Sequence, residues 1–170
     1  ISDLTNNKYA TDLVLKSDTV YYVRVRADRP GIGQSAWSSV RELKYSLASC
    51  KFDTVEVAGH DILMSWTSQY DGCEIQYSEY SDLSVTETFK LTKDNTTHTI
   101  KDLDPGTYHL RMRFYHDVDA LFYGEQTNYS KWSPIITVQV KPDIPKMESA
   151  VIEPTKFTAY FSPVDKVTGY

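Results

Sequence analysis

Tyr108-His109-Leu110-Arg111-Met112-Arg113 and Tyr21-Tyr22-Val23-Arg24-Val25-Arg26 are one segment written twice, and a repeat of this kind decides the architecture before any other pattern does. Alternation puts Tyr108, Leu110, Met112 and Phe114 on one face and His109, Arg111 and Arg113 on the other. That is the period of a strand with one face in a core and one in water. Tyr21, Val23 and Val25 follow the same rule. Each copy leads through a polar loop to Ser35-Ala36-Trp37-Ser38 or Ser130-Lys131-Trp132-Ser133. A second alternating run follows each, Val40-Arg41-Glu42-Leu43-Lys44-Tyr45 and Ile135-Ile136-Thr137-Val138-Gln139-Val140.

A further pair repeats out of phase with the first. Ile62-Leu63-Met64-Ser65-Trp66 leads through a loop to Gly72-Cys73-Glu74-Ile75-Gln76-Tyr77, and Phe157-Thr158-Ala159-Tyr160-Phe161 leads through Ser162-Pro163-Val164 to Gly169-Tyr170. Laid in order, the pieces read as the last strands of one unit over 1–48, a full set over 49–141, and the first strands of a third over 142–170. Pro142-Asp143-Ile144-Pro145 marks the second junction, because proline donates nothing to a ladder and stiffens the passage. On this order the chain reads as a piece of something longer.

Within the full set, strands are expected near 52–57, 61–67, 73–78, 86–91, 96–100, 107–115 and 134–140. Short alternating strands between Gly, Pro, Asp and Asn clusters are the pattern of an all-β sandwich. Trp66 is the expected centre of its core, with Phe161 in the same place in the third unit. The totals agree: 170 residues, 41% hydrophobic, 24% charged and 13 tyrosines make a globular, strand-favouring chain. A net charge of -5 argues against a nucleic-acid partner, since phosphate tracking needs a basic surface. No apolar run approaches the roughly 20 residues of a membrane-spanning helix. The polar start, Ile1-Ser2-Asp3-Leu4, is not a secretory leader.

Leu103-Asp104-Pro105-Gly106-Thr107-Tyr108 reads as a turn in which Pro105 sets one corner and Gly106 supplies positive φ at the next. The Tyr108 hydroxyl can then reach back to the turn backbone, as in a tyrosine corner. Together with Trp66, the run Gly72 to Ser78, and Trp132-Ser133, this combination resembles fibronectin type III domains, most like the tandem forms of bacterial cell-surface and secreted proteins. The resemblance spans the chain and implies tandem fibronectin type III sandwiches, one complete and two partial. It departs from the pattern in places. The turn is one residue shorter than the matching stretch from Leu15 to Tyr21, Cys73 stands where the third unit has Tyr170, and no Arg-Gly-Asp occurs. Tyr129-Ser130-Lys131-Trp132-Ser133 and Gln34-Ser35-Ala36-Trp37-Ser38 also resemble the Trp-Ser-x-Trp-Ser motif of class I cytokine receptors.

Arg111 and Arg113 share the outer face of one strand, and Trp132 precedes the strand expected beside it. A guanidinium–indole stack is therefore expected there, and for Arg24 and Arg26 with Trp37, stabilising rather than ligand-binding. The long loop from 115 to 129 holds Tyr115, Phe122, Tyr123 and Tyr129 beside Asp117, Asp119 and Glu125. Exposed aromatics at a sandwich end suit a protein or carbohydrate partner; the alternative is a two-stranded extension packed on itself or on the neighbouring domain. Asp117 and Asp119 alone are poor Ca²⁺ ligands, His60, His98, His109 and His116 lack zinc spacing, and no metal or cofactor is expected. Cys50 and Cys73 either pair or remain buried thiols. Asn95-Thr96-Thr97 and Asn128-Tyr129-Ser130 fit the glycosylation acceptor pattern.

No nucleophile elbow or other catalytic constellation occurs, so the chain is expected not to be an enzyme. The leading expectation is a non-catalytic extracellular or cell-surface spacer and adhesion module, contacting neighbouring domains of its own chain. A ligand-binding receptor ectodomain of cytokine-receptor type, or an accessory module of a secreted polysaccharide-degrading enzyme, are the alternatives.

Overall fold

The computed structural model describes residues 15–118, 126–164 and 167. All regular structure among them is strand. Two short antiparallel pairs come first: β1 (Thr19–Val23) runs against β4 (Arg41–Tyr45), and β2 (Asp28–Arg29) against β3 (Gly33–Gln34). Next come β5 (Thr54–Ala58), β6 (Asp61–Ser65), β7 (Gly72–Ser78), β8 (Glu87–Thr92), β9 (Thr97–Ile100), β10 (Gly106–Val118), β11 (Gln126–Tyr129) and β12 (Ile136–Val140). A last hairpin pairs β13 (Met147–Glu153) with β14 (Lys156–Phe161).

Strands β5 to β12 form two sheets around one core. One sheet has the order β5-β6-β9; the other has β8-β7-β10, with β11 and β12 both on β10. Register shows how β10 carries both. β7 pairs with His109 to Tyr115, while β12 takes Gly106 to Leu110 and β11 takes Tyr115 to Val118. Since His109 and Leu110 pair with both β7 and β12, and Tyr115 with both β7 and β11, β11 and β12 share the edge opposite β7. Residues 111–114 lie between them on that edge.

The core follows from the alternation. Ile62, Met64 and Trp66 face Cys73, Ile75, Leu110, Met112 and Phe114, all at most 3% exposed. Full burial of one such aliphatic side chain is worth about 1.5–3 kcal/mol, so this cluster is the main source of cohesion. The chain is thus an all-β protein built on a β-sandwich.

Several local expectations need correction. Gly106 is the first residue of β10 and does not have positive φ; the left-handed residue of this turn is Asp102, at φ 55°. Its conformation is held from outside, because Asp61 Oδ1 accepts from the Asp102 amide at 3.0 Å. The Tyr108 hydroxyl does donate back to the Asp104 carbonyl at 2.9 Å. β10 runs three residues past the expected end, because Tyr115 to Val118 find a partner in β11. Cys50 and Cys73 are separate buried thiols, and burial pushes the Cys73 thiol up to about 12. Phe161 is 43% exposed, unlike Trp66 at 2%.

Candidate functional site

The outer face of β10 carries a ladder of alternating cations and aromatic rings. The guanidinium carbons of Arg111 and Arg113 each lie 4.4 Å from the centre of the Trp132 ring, and Arg113 also lies 3.8 Å from that of Tyr129. Neighbouring β7 holds each arginine from the other side. Arg111 Nε and Nη2 donate to Gln76 Oε1 at 2.9 and 2.7 Å. Arg113 Nε and Nη2 reach Glu74 Oε2 at 2.8 and 2.7 Å. These partners follow from register, since Arg111 faces Gln76 and Arg113 faces Glu74 across the strands. In the first part of the chain Arg24 and Arg26 lie 4.4 and 4.5 Å from the Trp37 ring centre, and that ring is 45% exposed.

The serines flanking each tryptophan explain why the ring can lie there. Ser133 and Met112 exchange two bonds: the Ser133 amide donates to the Met112 carbonyl at 2.8 Å and the Ser133 hydroxyl accepts from the Met112 amide at 3.0 Å. Ser130 does the same with Phe114, at 2.9 Å both ways. A hydroxyl thus replaces a strand carbonyl as acceptor, so the buried amides stay paired. Three residues advance from Ser130 to Ser133 while β10 advances two, the count of a bulge. Trp132 belongs to that irregular stretch and lies over the arginines. Ser35 with Ala27 and Ser38 with Val25 repeat the arrangement, and Ser162 with Lys146 shows it a third time. Alternation and motif spacing place the tryptophans; the role of the serines depends on the strand opposite, and the repeated Ser-x-Trp-Ser spacing is its signal in the sequence.

The aromatic loop divides differently from expectation. Phe122 and Tyr123, with Asp119 and Glu125, lie outside the described residues. Tyr115, expected on the exposed face, is only 4% exposed. It sits opposite Gly72, where a Cβ would overlap the Leu91 carbonyl oxygen and lie 2.6 Å from the Tyr115 hydroxyl. The ring occupies the space that glycine leaves, and Lys90 Nζ covers it at 4.3 Å from the ring centre. Tyr129 is half-buried in the ladder. Asp117 Oδ1 accepts from Thr127 Oγ1 at 2.6 Å, across the β10–β11 pair. Asp71 Oδ2 accepts from the Asp117 amide at 2.8 Å and meets His116 Nδ1 at 2.7 Å; the amide bond, then His116, holds its carboxyl below the usual range.

The two acceptor tripeptides also separate. Asn95 is exposed in the turn between β8 and β9. Asn128 is 5% exposed and both atoms of its amide are bonded. A shallow cleft of about 400 Å³ lies at the other end of the sandwich, lined by Tyr77, Tyr108, Glu79, Glu87 and Asp102 among others. Burial first, then Glu87, pushes the Tyr77 phenol up to about 12.

No protein-family model and no curated protein matches the chain. Among solved structures it is similar to the FN1-FN3 domains of chicken CNTN1, at 16% identity and a TM-score of 0.42. That match covers 78% of this chain, which spans less than half, 46%, of the other.

Proposed function

We propose that this chain is a non-catalytic extracellular module of a surface or secreted protein, with fibronectin type III-like sandwiches serving as spacers and adhesive elements. We further propose the division into successive units at 1–48, 49–141 and 142–170. The observation that carries the reading is that the distinctive polar side chains answer one another. The Arg111 and Arg113 guanidiniums are held by Gln76 and Glu74, and the serines of the tryptophan motif close on strand backbone. Such an arrangement strengthens a module and offers little to a substrate. The same serine pairing in three places supports the division.

A receptor reading draws on the Ser-x-Trp-Ser likeness, but that motif occurs in both copies and its serines close on strand backbone in each. The burial of Tyr115 and the stacking of Tyr129 on Arg113 narrow the contact residues for any protein or carbohydrate partner, adhesive or receptor alike. Single-molecule extension of the chain tests the spacer role. A distinct unfolding peak from the 49–141 sandwich, with refolding at low force, is expected. Smooth extension without a peak rejects it. Adhesion is tested separately, by retention of chain-coated beads on protein and glycan arrays.

A further inference from the structure

We propose that the β10–β11 arm is a brace that fixes the β1–β4 sheet onto the sandwich, making the passage between them a rigid joint. Above Tyr115 the strand β10 has left β7 behind and pairs only with β11. From β11, Asn128 reaches the segment that enters β1. Its Nδ2 donates to the Leu15 carbonyl at 3.0 Å, and its Oδ1 accepts from the Ser17 amide at 2.8 Å. A neighbouring parallel strand engages residue 16 in the same way, through the carbonyl before it and the amide after it. The side chain therefore takes the place of an added strand.

A joint made by one covalent connection swivels; a second attachment removes the swivel. Here the covalent crossing is the run from Leu47 to Cys50. Leu47 is 6% exposed, the Ala48 amide donates to the Tyr70 hydroxyl at 2.9 Å, and Cys50 Sγ donates to the Met112 carbonyl at 2.9 Å in the core. Asn128 supplies the second crossing. Ser17 ties the two together, because its hydroxyl accepts from the Leu47 amide at 3.2 Å. Beside them a cleft of about 240 Å³ opens between Asp18, Lys44, Leu47 and Lys131. Among the described residues, discrete hydrogen bonds together with the buried Leu47 side chain therefore set the orientation. With both amide atoms engaged and buried, Asn128 is no acceptor for a glycan in the closed joint, whereas Asn95 is open to one.

The inference rests on the division between β1–β4 and the sandwich, not on the spacer role, and a swivelling chain could still space and adhere. Residual dipolar couplings on the 170-residue chain test it, together with amide exchange. The wild type is expected to show one alignment tensor for β1–β4 and β5–β12, with a protected Ser17 amide. Asn128→Ala is expected to give two tensors and Ser17 exchange faster by about tenfold or more, while the Met112 and Phe114 amides are unchanged. Asn128→Asp keeps the shape and the Oδ1 acceptor but loses the Nδ2 donor. It covers the case in which the alanine variant does not fold. Two tensors are expected from it as well, since the Leu15 carbonyl then faces a carboxylate, while the Ser17 amide keeps its acceptor and its protection. Two tensors in the wild type, a single tensor with a protected Ser17 amide in a folded alanine variant, or a single tensor from Asn128→Asp would overturn the proposal.

Discussion

Arg111 and Arg113 stack on Trp132 at the same 4.4 Å, yet replacing them should have unequal consequences. Arg111→Ala loses one partly exposed cation–π contact, about 0.5–1 kcal/mol, and Arg113→Ala loses two, over Trp132 and Tyr129. Arg111→Ala then leaves Gln76, a neutral amide near the surface that water can rehydrate, adding about 1 kcal/mol. Arg113→Ala leaves the carboxylate of Glu74, whose side chain is 12% exposed, without its cation. Removing one partner of a nearly buried ion pair costs about 3–5 kcal/mol. The expected difference between the two variants is therefore at least about 2 kcal/mol, the larger part from the stranded carboxylate and the smaller from the extra Tyr129 contact. Urea unfolding followed by indole fluorescence measures it. A Trp37→Phe background leaves Trp66 and Trp132, so both indoles report on one sandwich. Adding Glu74→Gln to Arg113→Ala should recover about half the loss or more, because the stranded charge is gone. Equal losses for the two arginines, or no recovery with Glu74→Gln, would refute the argument that the ion pair and not the stack sets the difference.

A double-mutant cycle between Arg111→Ala and Trp132→Ala should give a coupling of about 0.5–1 kcal/mol; zero coupling would show the stack to be incidental. Gly72→Ala should destabilise by about 3 kcal/mol or more in thermal or urea unfolding, since the Leu91 carbonyl in its path belongs to the β7–β8 ladder and cannot yield cheaply. A neutral effect there would mean that the two strands separate easily. His98 is held below its ordinary 6.5 by burial. The unfolded chain therefore binds the proton more readily, and stability should fall as pH drops below about 6.5. His98→Phe should flatten that part of the profile, and identical slopes would show that His98 does not contribute.

Repeated local patterns made much of the sandwich readable from sequence. Alternation along β10 specifies the inward set Tyr108, Leu110, Met112 and Phe114 whatever the neighbouring strands do, and it equally puts Arg111 and Arg113 on one face. What escaped depends on which strand lies opposite. Tyr115 looks exposed on its own strand; only the register with Gly72 shows the gap that its ring fills. Pro105-Gly106 looks like the positive-φ corner, yet the Asp61 carboxylate, distant in sequence, holds Asp102 in that conformation instead. Asn128 belongs to a tripeptide with an obvious surface meaning, and its burial follows from a segment more than a hundred positions earlier. Pairing partners at long range carry no signature in a window of ten residues.

The serine pairing along β10 has a consequence for how such a chain avoids folding wrongly. Tyr21 to Arg26 and Tyr108 to Arg113 are nearly interchangeable as strands, and similar strands tethered in one chain invite exchanged pairings and edge-to-edge aggregation. A flat strand edge would accept either neighbour's copy. On the edge opposite β7, however, Met112 and Phe114 present their amides to hydroxyls spaced three residues apart. Because the two serines already occupy both amides and both carbonyls there, an intruding strand must displace them before it can pair with that edge. Ser130 and Ser133, like Ser35 and Ser38 in the first copy, thus act as a bolt across an open edge, keeping it shut to look-alike strands.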